Sequence, residues 1–461
     1  MKTHVTRISF TLLVLAAIFR TTNGNISLPE IFSDHMVMQQ KSDIKIWGWG
    51  NANEKLMLKA DWLSEEITTT VDTYGKWSLV IKTPEAGGPY NIILKGHNQV
   101  ILKNVLIGEV WLCSGQSNME WTAEQGINNA EDEIKNANYP EIRFFSVYHS
   151  SAEFPQYHIT GKWTSCNSET MRNFSALAYL FARNLHQALD VPIGVINSSW
   201  GGTPAETWIP EDVIKKNDFL FDAYLKHKPL PWGPIEPGRL YNSMIFPLIP
   251  FRIAGVIWYQ GESNTVNGYA YKEILSALIQ SWRTNWGYEF PFYYAQIAPF
   301  RYEKPYEGVE VREAQRRVLG LPNTGMVVLS DIGDTADIHP KNKQDVALRF
   351  AIMALNRHYK RFKIEDSGPL YKCMRVDKNT VIISFDHAEG LHVKGDKLNY
   401  FEIAGQDKIY YPATAKIKNN QVIVQSDKVK IPVAVRYAWS NTATPNLFNF
   451  ANLPASSFKT E

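Results

Sequence analysis

The sequence predicts an α/β protein: a central unit with a parallel sheet covered by helices on both faces, flanked by β-rich segments. Three observations support this prediction. Between residues 105 and 365, apolar runs of strand length alternate with helical patterns, the order typical of right-handed crossovers. Residues 25–104 and 366–461 instead carry short strand-like runs divided by turn residues. At 461 residues, the chain is also too long for one ordinary hydrophobic core.

Residues 1–24 have the layout of a secretory signal peptide. Lys2 and Arg7 precede an apolar run over 8–19, and small or polar residues follow it. The apolar run is too short for an ordinary transmembrane span. We therefore expect an exported protein, periplasmic or extracellular, with no membrane span after the signal is cleaved.

Residues 25–104 predict a small β-sandwich domain. Trp77, Leu79 and Ile81 alternate with polar residues, which places them on one face of a strand. The runs 44–49 and 90–94 have a similar length, and turn residues separate them. This segment shows no catalytic constellation, so we interpret it as a packing domain.

The central segment, 105–365, is expected to hold the catalytic unit. Ser175 is a plausible N-cap for a helix whose buried stripe runs through Ala178, Phe181 and Leu185. The other patterns follow in chain order. Strands are predicted at 110–113, 193–197, 253–259, 291–297 and 325–330, with further helices near 270–282, 311–319 and 343–358. The remaining segment, 366–461, returns to β patterns at 380–385, 400–404, 421–424 and 433–439 and predicts a C-terminal β domain.

Composition excludes several classes of function. The formal net charge is +2 without a basic run, so nucleic-acid binding is not expected. The three cysteines, Cys113, Cys166 and Cys373, cannot form a fully paired disulfide framework. Spacings typical of metal ligands are absent from the sequence, so we expect neither a catalytic metal nor another cofactor.

Polar loops follow four of the predicted strands. Ligands of open α/β sheets bind beyond the carboxyl ends of the strands, so these loops are expected to meet. Together they supply a serine, a glycine pair, amide side chains and an Asp/His pair, which are the parts needed for acyl transfer. Taken alone, Ser117 could equally be a nucleophile or a helix cap. The loops are GQSN (115–118), NSSWGGT (197–203), YQGESN (259–264) and DIGDTADIHP (331–340).

These four blocks resemble those of the SGNH (GDSL-type) hydrolases, and in detail those of the sialate O-acetylesterase family of carbohydrate esterases. FSDHMVMQ (32–39) and VRYAWSN (435–441) resemble the opening and closing segments of that family, so the resemblance spans nearly the whole mature chain. It implies a flavodoxin-like SGNH-hydrolase domain of three layers, flanked by N-terminal and C-terminal β-sandwich-like segments.

By position, the resemblance makes Ser117 the nucleophile and His339 the general base. Met119 stands where a G-x-S-x-G elbow has its second glycine, which disfavours an ordinary α/β-hydrolase. For the acid that orients His339 we choose Asp337, with Asp334 second and a backbone carbonyl as a further alternative. The common arrangement has Asp three residues before His, where this chain has Ala336.

The resemblance also assigns an oxyanion hole. Its donors are the backbone N–H groups of Ser117 and Gly201 and a side-chain amide of the third loop, either Asn264 or Gln260. Gly202 would allow a tight turn.

A set of further side chains could bind substrate. Glu262 is expected to pin its loop or bind a substrate hydroxyl rather than act as a base. Three tryptophans could form a wall on which a sugar stacks, although such residues are more often core. They are Trp121, Trp200 and Trp208.

We therefore expect an esterase that removes acetyl groups from an O-acetylated sugar without a cofactor, most simply from sialate. The alternatives are an acetylesterase of plant xylan or xyloglucan and, more remotely, a non-catalytic glycan-binding protein. An arginine in the cleft would favour sialate because that sugar carries a carboxylate, and Arg239 and Arg349 are candidates. The sequence does not determine the oligomeric state.

Overall fold

The computed structural model describes residues 25–460, so the predicted signal peptide lies outside the described residues. The N-terminal unit contains two β-sheets packed on one core. One sheet pairs the second and fifth strands, and the other joins the remaining five. The strands are β1 (Val37–Gln39), β2 (Asp43–Trp49), β3 (Lys55–Ala60), β4 (Ile67–Thr70), β5 (Lys76–Lys82), β6 (Gly87–Lys95) and β7 (Gln99–Gly115).

Alternating burial in β5 confirms the predicted pattern. Trp77, Leu79 and Ile81 are buried, and the residues between them are exposed. Each apolar side chain on this face removes nonpolar surface from water, and these burials drive the pairing of the two sheets.

The central unit follows directly and alternates strands with helices. Ser175 caps the helix Ala176–Leu189 by accepting a hydrogen bond from the N–H of Ala178, as predicted. The elements are α1 (Ser117–Glu120), α2 (Ala130–Lys135), β8 (Tyr139–Val147), β9 (Gly161–Cys166), α3 (Ser168–Arg172), α4 (Ala176–Leu189), β10 (Ile193–Ser199), α5 (Glu211–Lys215), α6 (Asp218–Tyr224), β11 (Gly255–Tyr259), α7 (Tyr271–Trp286), β12 (Phe292–Ala295), α8 (Glu307–Val318), β13 (Thr324–Val327) and α9 (Lys343–Met353).

The central sheet has the strand order β13-β12-β11-β7-β10-β8-β9. Its first six strands are parallel, and β9 runs antiparallel to β8 at the edge. The five strands β10-β7-β11-β12-β13 have the flavodoxin-like order that the family resemblance implied. Because β10 and β11 flank β7, the chain leaves the sheet on opposite sides there. A crevice is therefore expected beyond the carboxyl end of β7.

Helices cover both faces of this sheet and form the three layers. Trp111 and Cys113 of β7 point to the core shared with α4 and α9. Val110 and Leu112 point to the opposite core, which includes α7 and α8. Burial on both faces explains why the strand reads as a continuous apolar run.

Strand β7 belongs to two units at once. Its first part pairs with β6 of the N-terminal unit, and its last part pairs with β10 and β11. A single strand therefore crosses the domain boundary predicted at 104/105.

The C-terminal unit is entirely β and has its own core. It contacts the central unit at α8: Asn441 accepts from the N–H of Gly308, and Arg312 donates to the carbonyl of Ser440. Its strands form two four-stranded sheets and one short pair. They are β14 (Leu370–Asp377), β15 (Thr380–Asp386), β16 (His392–Val393), β17 (Phe401–Ala404), β18 (Tyr410–Pro412), β19 (Thr414–Lys418), β20 (Gln421–Gln425), β21 (Ala434–Tyr437), β22 (Leu447–Phe448) and β23 (Phe458–Lys459).

Within residues 25–460, no helix combines the length and the apolar character needed to cross a bilayer. Cys113 and Cys166 are buried free thiols, and Cys373 is an exposed one.

Gly115, at the end of β7, occupies a position that only glycine can fill without strain. Gly115 has φ +140°, and a Cβ there would lie 2.2 Å from the carbonyl oxygen of Tyr259. We expect Gly115→Ala to destabilise the fold by about 3 kcal/mol or more, because the added methyl collides with backbone. Gly287 is a matched control with φ +76° and open space around it. Gly287→Ala should cost only about 1 kcal/mol. Denaturant unfolding measures both, and equal losses would contradict the prediction.

Candidate active site

Ser117 lies just beyond the carboxyl end of β7. The strand ends at Gly115, and Ser117 is the first residue of the one-turn helix α1. Its Oγ lies 2.9 Å from Nε2 of His339. The N-cap of α1 is Gln116, so the alternative in which Ser117 merely caps a helix does not hold. Ser117 and His339 are 222 positions apart in the chain, and the fold brings them into hydrogen-bonding contact.

Trp121 supports the imidazole of His339 from one side. The two rings stack with centroids 4.1 Å apart and an interplanar angle of 18°. The indole N–H donates to the carbonyl of Gly126 at 3.0 Å, which fixes the plane of the ring. Trp121 therefore restricts rotation of the histidine.

Asp337 is the carboxylate that faces His339. Its Oδ1 accepts the backbone N–H of His339 at 2.9 Å and lies 3.7 Å from the ring Nδ1. The longer distance is an electrostatic contact rather than a hydrogen bond. Asp334 instead accepts the N–H of Ala336 and stabilises a local turn. Of the two predicted acids, only Asp337 is placed to orient the imidazole.

Asn118 connects the loops that carry this pair. Its Nδ2 donates to Oε1 of Glu262 at 2.8 Å and to the carbonyl of Ile338 at 3.0 Å. Its Oδ1 accepts from Nζ of Lys343 at 2.7 Å. The first, third and fourth loops are thus tied to a single amide next to Ser117. Glu262, expected to pin its loop or bind a substrate hydroxyl, is buried and holds Asn118 through Oε1, and a contact with substrate stays a prediction.

Burial shifts the pKa values of three groups here, Glu262, Lys343 and His339. It raises the pKa of Glu262 to about 6 and lowers the pKa of Lys343 to about 7. Burial also lowers the pKa of His339, and the nearby Lys343 charge adds to that effect, while Asp337 opposes it. A lowered pKa keeps the imidazole neutral, the form that can accept the serine proton.

The second loop brings Gly201 against Ser117. A Cβ at Gly201 would lie 3.3 Å from the Cβ of Ser117. The Gly201 N–H donates to Oε2 of Glu120 at 2.6 Å, so a carboxylate occupies the predicted oxyanion donor. Gly202 has φ +74°, the left-handed conformation that a tight turn needs.

Glu120 is held from its other side by His149. Their Oε1 and Nε2 atoms are 2.8 Å apart. The His149 ring stacks on Trp200 with centroids 4.3 Å apart and planes within 3°. The hydrogen bond that His149 donates to Glu120 raises the pKa of His149, although burial acts in the opposite direction.

The amides of the third loop lie behind the second loop. Asn264 donates to Glu206 and Asn267 and accepts from Gln260 at 2.7 Å. It also accepts the N–H of Ala205 at 2.9 Å. These contacts engage both the donor and the acceptor atoms of Asn264. The oxyanion role of Asn264 or Gln260 stays a prediction, and the contacts seen here brace the loop that carries Gly201.

Two other predicted substrate contacts have different surroundings. Trp208 is fully buried, so it cannot stack on a sugar. Arg349 donates to both carboxylate oxygens of Asp331, at 2.8 and 2.7 Å, so its charge is already paired. Arg239 lies 3.8 Å from Glu153, a looser ion pair than that of Arg349, and its place in the substrate site stays a prediction. Among residues 25–460, no three His, Cys, Asp or Glu side chains group as a metal would require.

Sequence reasoning missed three residues of this region: Glu120, His149 and Lys343. His149 follows β8, a strand that the sequence patterns did not reveal. Had β8 been recognised, its polar carboxyl end would have indicated His149 by the same reasoning as for the other loops. Lys343 opens α9 and reads as a surface lysine, yet it is completely buried. The sequence carries no signal for that burial.

Comparisons with known proteins identify the family of this chain. Residues 107–354 match the protein family described as carbohydrate esterase, sialic acid-specific acetylesterase. The sialate O-acetylesterase of Rattus norvegicus is 28% identical, and the alignment covers 93% of this chain and 92% of that protein. The human sialate O-acetylesterase is 29% identical, with 89% and 86% covered.

A solved structure shows the same fold. The crystal structure of a carbohydrate acetylesterase from Xanthomonas citri superposes with a TM-score of 0.87 at 35% sequence identity. The match covers 95% of this chain and all of that one. The fold and these matches thus place the chain among the carbohydrate acetylesterases of the SGNH class. Within that class, the chain belongs to the sialic acid-specific acetylesterase family of carbohydrate esterases.

Replacing Asp337 tests which acid orients His339. Asp337→Asn keeps an oxygen for the backbone N–H of His339 but removes the charge beside Nδ1. We expect kcat to fall about 10- to 100-fold, less than the ~10⁴-fold loss known for a buried triad aspartate. The smaller loss is expected because Asp337 is 42% exposed and 3.7 Å away. Asp334→Asn is the matched control and should stay near wild type. A larger loss in Asp334→Asn would make Asp334 the orienting acid.

Replacing Lys343 tests the electrostatic link to His339. Lys343→Met removes a positive charge that helps to lower the histidine pKa. The neutral imidazole is the active form, so the acid limb of the kcat/KM profile should move to higher pH. The plateau should also fall roughly tenfold, because Asn118 loses a buried partner. Lys341→Met removes an exposed charge two residues before Lys343 and should leave the limb in place. An unmoved limb in Lys343→Met would refute the link.

Proposed function

We propose that this protein is an exported sialate O-acetylesterase that works through a serine nucleophile. The observation that carries the proposal is the 2.9 Å contact between Ser117 Oγ and His339 Nε2 at the carboxyl edge of the sheet. Membership of the sialic acid-specific family supplies the acetylated sugar as the class of substrate. Export rests on the predicted signal peptide at residues 1–24.

The first half of the reaction acylates the serine. Oγ of Ser117 attacks the acetyl carbonyl carbon while Nε2 of His339 takes its proton. The negative charge on the carbonyl oxygen is stabilised by the backbone N–H groups of Ser117 and Gly201. When the tetrahedral intermediate collapses, the bond to the sugar oxygen breaks. The sugar leaves as an alcohol with the proton from Nε2.

The second half returns the enzyme to its starting state. His339 removes a proton from water, and the resulting hydroxide attacks the acetyl-enzyme. The bond between the acetyl carbon and Oγ then breaks, and Ser117 regains its proton from Nε2. Acetic acid departs and loses its proton to water as acetate. In both halves the imidazolium is stabilised by Asp337. The chemistry uses no metal or organic cofactor.

Sialate is the preferred sugar because the family and its mammalian relatives are named for it. Arg239 is our candidate for binding the sialate carboxylate, because its contact with Glu153 is loose whereas Arg349 is engaged by Asp331. The alternative substrate is acetylated xylan or xyloglucan, which has no such carboxylate at the acetylated sugar. The catalytic pair would serve either substrate.

The decisive experiment measures acetate release by wild type and Ser117→Ala. Loss of the nucleophile should lower kcat at least about 10³-fold on O-acetylated sialic acid, because no acetyl-enzyme can form. Ser151→Ala replaces an exposed serine outside the site and should keep full activity. Hydrolysis within a few fold of wild type in Ser117→Ala would overturn the serine mechanism.

Two substrates then separate the candidate activities. We expect higher kcat/KM on O-acetylated sialic acid than on acetylated xylo-oligosaccharides. The reverse order would make the protein a plant-polysaccharide acetylesterase. Glycan binding without acetate release from either substrate would identify a non-catalytic binding protein and contradict the proposed function.

A further inference from the structure

A carboxylate occupies the place that the reaction assigns to the oxyanion. In this structure Gly201 donates its N–H to Oε2 of Glu120 at 2.6 Å. Gly201 is directly beside Ser117, since a Cβ on it would approach the serine Cβ to 3.3 Å. An acetyl carbonyl oxygen that takes this N–H must therefore displace Oε2. Substrate binding thus leaves a charged oxygen in need of a new hydrogen-bond donor.

His149 keeps Glu120 at the site when Oε2 is displaced. Its Nε2 lies 2.8 Å from Oε1, the oxygen that does not touch Gly201. The same nitrogen is 3.1 Å from the carbonyl of Ser199 at the end of β10, and the ring stacks on Trp200. These contacts anchor the imidazole on two sides. Glu120 can release Gly201 and still retain one hydrogen bond.

The Glu120–His149 pair is partly open to solvent. The side chains of Glu120 and His149 are 32% and 41% exposed. Trp200 is half-buried, and its indole N–H donates to the carbonyl of Trp232, a residue that is itself exposed. A carboxylate bordered by aromatic rings is a surface suited to a sugar, because hydroxyl groups bind the acid and C–H faces pack on the rings.

We propose that Glu120 is a specificity residue that favours esters with a free hydroxyl next to the acetylated carbon. This inference rests on the proposed function, because it assigns Gly201 to the oxyanion. When the acetyl oxygen takes the Gly201 N–H, the neighbouring hydroxyl donates to Oε2 of Glu120. A sugar acetate thus replaces the lost hydrogen bond, whereas a simple aryl acetate cannot.

The discrimination follows from an unpaired charge. A site built to bind a hydroxyl disfavours an analogue that lacks it, since the polar group of the site is left without a partner. Full burial would make this effect very large, but Glu120 is partly exposed and water can replace the hydroxyl in part. The expected preference attributable to Glu120 is therefore about 10- to 30-fold.

The test compares two esters in wild type, Glu120→Ala and Glu120→Gln. The probes are mono-O-acetylated sialic acid, which has free neighbouring hydroxyls, and 4-nitrophenyl acetate, which has none. In both variants the ratio of kcat/KM for the sugar ester to that for the aryl ester should fall at least tenfold. The aryl acetate rate should stay constant or rise, because no carboxylate competes for the Gly201 N–H. A parallel loss on both esters, or an unchanged ratio, would overturn the inference.

Matched variants separate this outcome from misfolding and from failure of the proposed function. Glu124→Gln removes a carboxylate that pairs with Arg172 on the surface, and its ratio should equal that of wild type. His149→Phe keeps a ring stacked on Trp200 but removes the hydrogen bond to Glu120. It should also lower the ratio of sugar-ester to aryl-ester kcat/KM, by a smaller factor than the Glu120 variants do. An unchanged ratio in His149→Phe would remove His149 from the inference. Hydrolysis persisting in Ser117→Ala overturns the proposed function, whereas parallel losses in the Glu120 variants overturn this inference alone.

Discussion

The geometry of the site depends on the side-chain amide of Asn118. This buried group donates to Glu262 and to the backbone of the histidine loop and accepts from Lys343. A buried amide must satisfy its donors and its acceptor, so these three contacts fix one another. Asn118 is the residue after Ser117, and Ile338 precedes His339. The distance between serine and histidine is therefore set by one short polar bridge between two loops.

Much of the fold and the central pair of the site could be predicted from the sequence. Strands and helices were readable because both faces of the sheet are buried and the helices have clear apolar stripes. Because the carboxyl ends of parallel strands lie at the same edge of the sheet, the polar loops that follow them were expected to meet. Ser117 and His339, from two of these loops, are in contact. The β8–β9 hairpin was not recognised, because Pro140 and Arg143 interrupt its apolar pattern. With that hairpin unrecognised, the position of His149 could not be inferred.

The sequence does not predict the direction in which an amide or carboxylate side chain points. Asn264 and Gln260 lie in the expected loop. The buried carboxylate of Glu206, however, accepts a hydrogen bond from Asn264, which in turn accepts one from Gln260. Burial alone would raise the pKa of Glu206, yet the hydrogen bonds of His227 and Asn264 outweigh it and lower that pKa. A buried carboxylate held in its charged form needs donors, and the amides supply them. In the same way, the carboxylate of Glu120 accepts the backbone N–H of Gly201. The sequence contains both residues but does not indicate that they form this hydrogen bond.

Strand β7 has a consequence for how the molecule is made. Its first half completes a hairpin with β6, and both segments are synthesised before any other strand of the central sheet. The hairpin can therefore form while the rest of the chain is still on the ribosome, since its contacts are local in sequence. The emerging second half then offers a ready edge on each side, to which β10 and later β11 can add. The N-terminal unit would thus act as a template for the assembly of the catalytic sheet, a role for which it needs no catalytic residue.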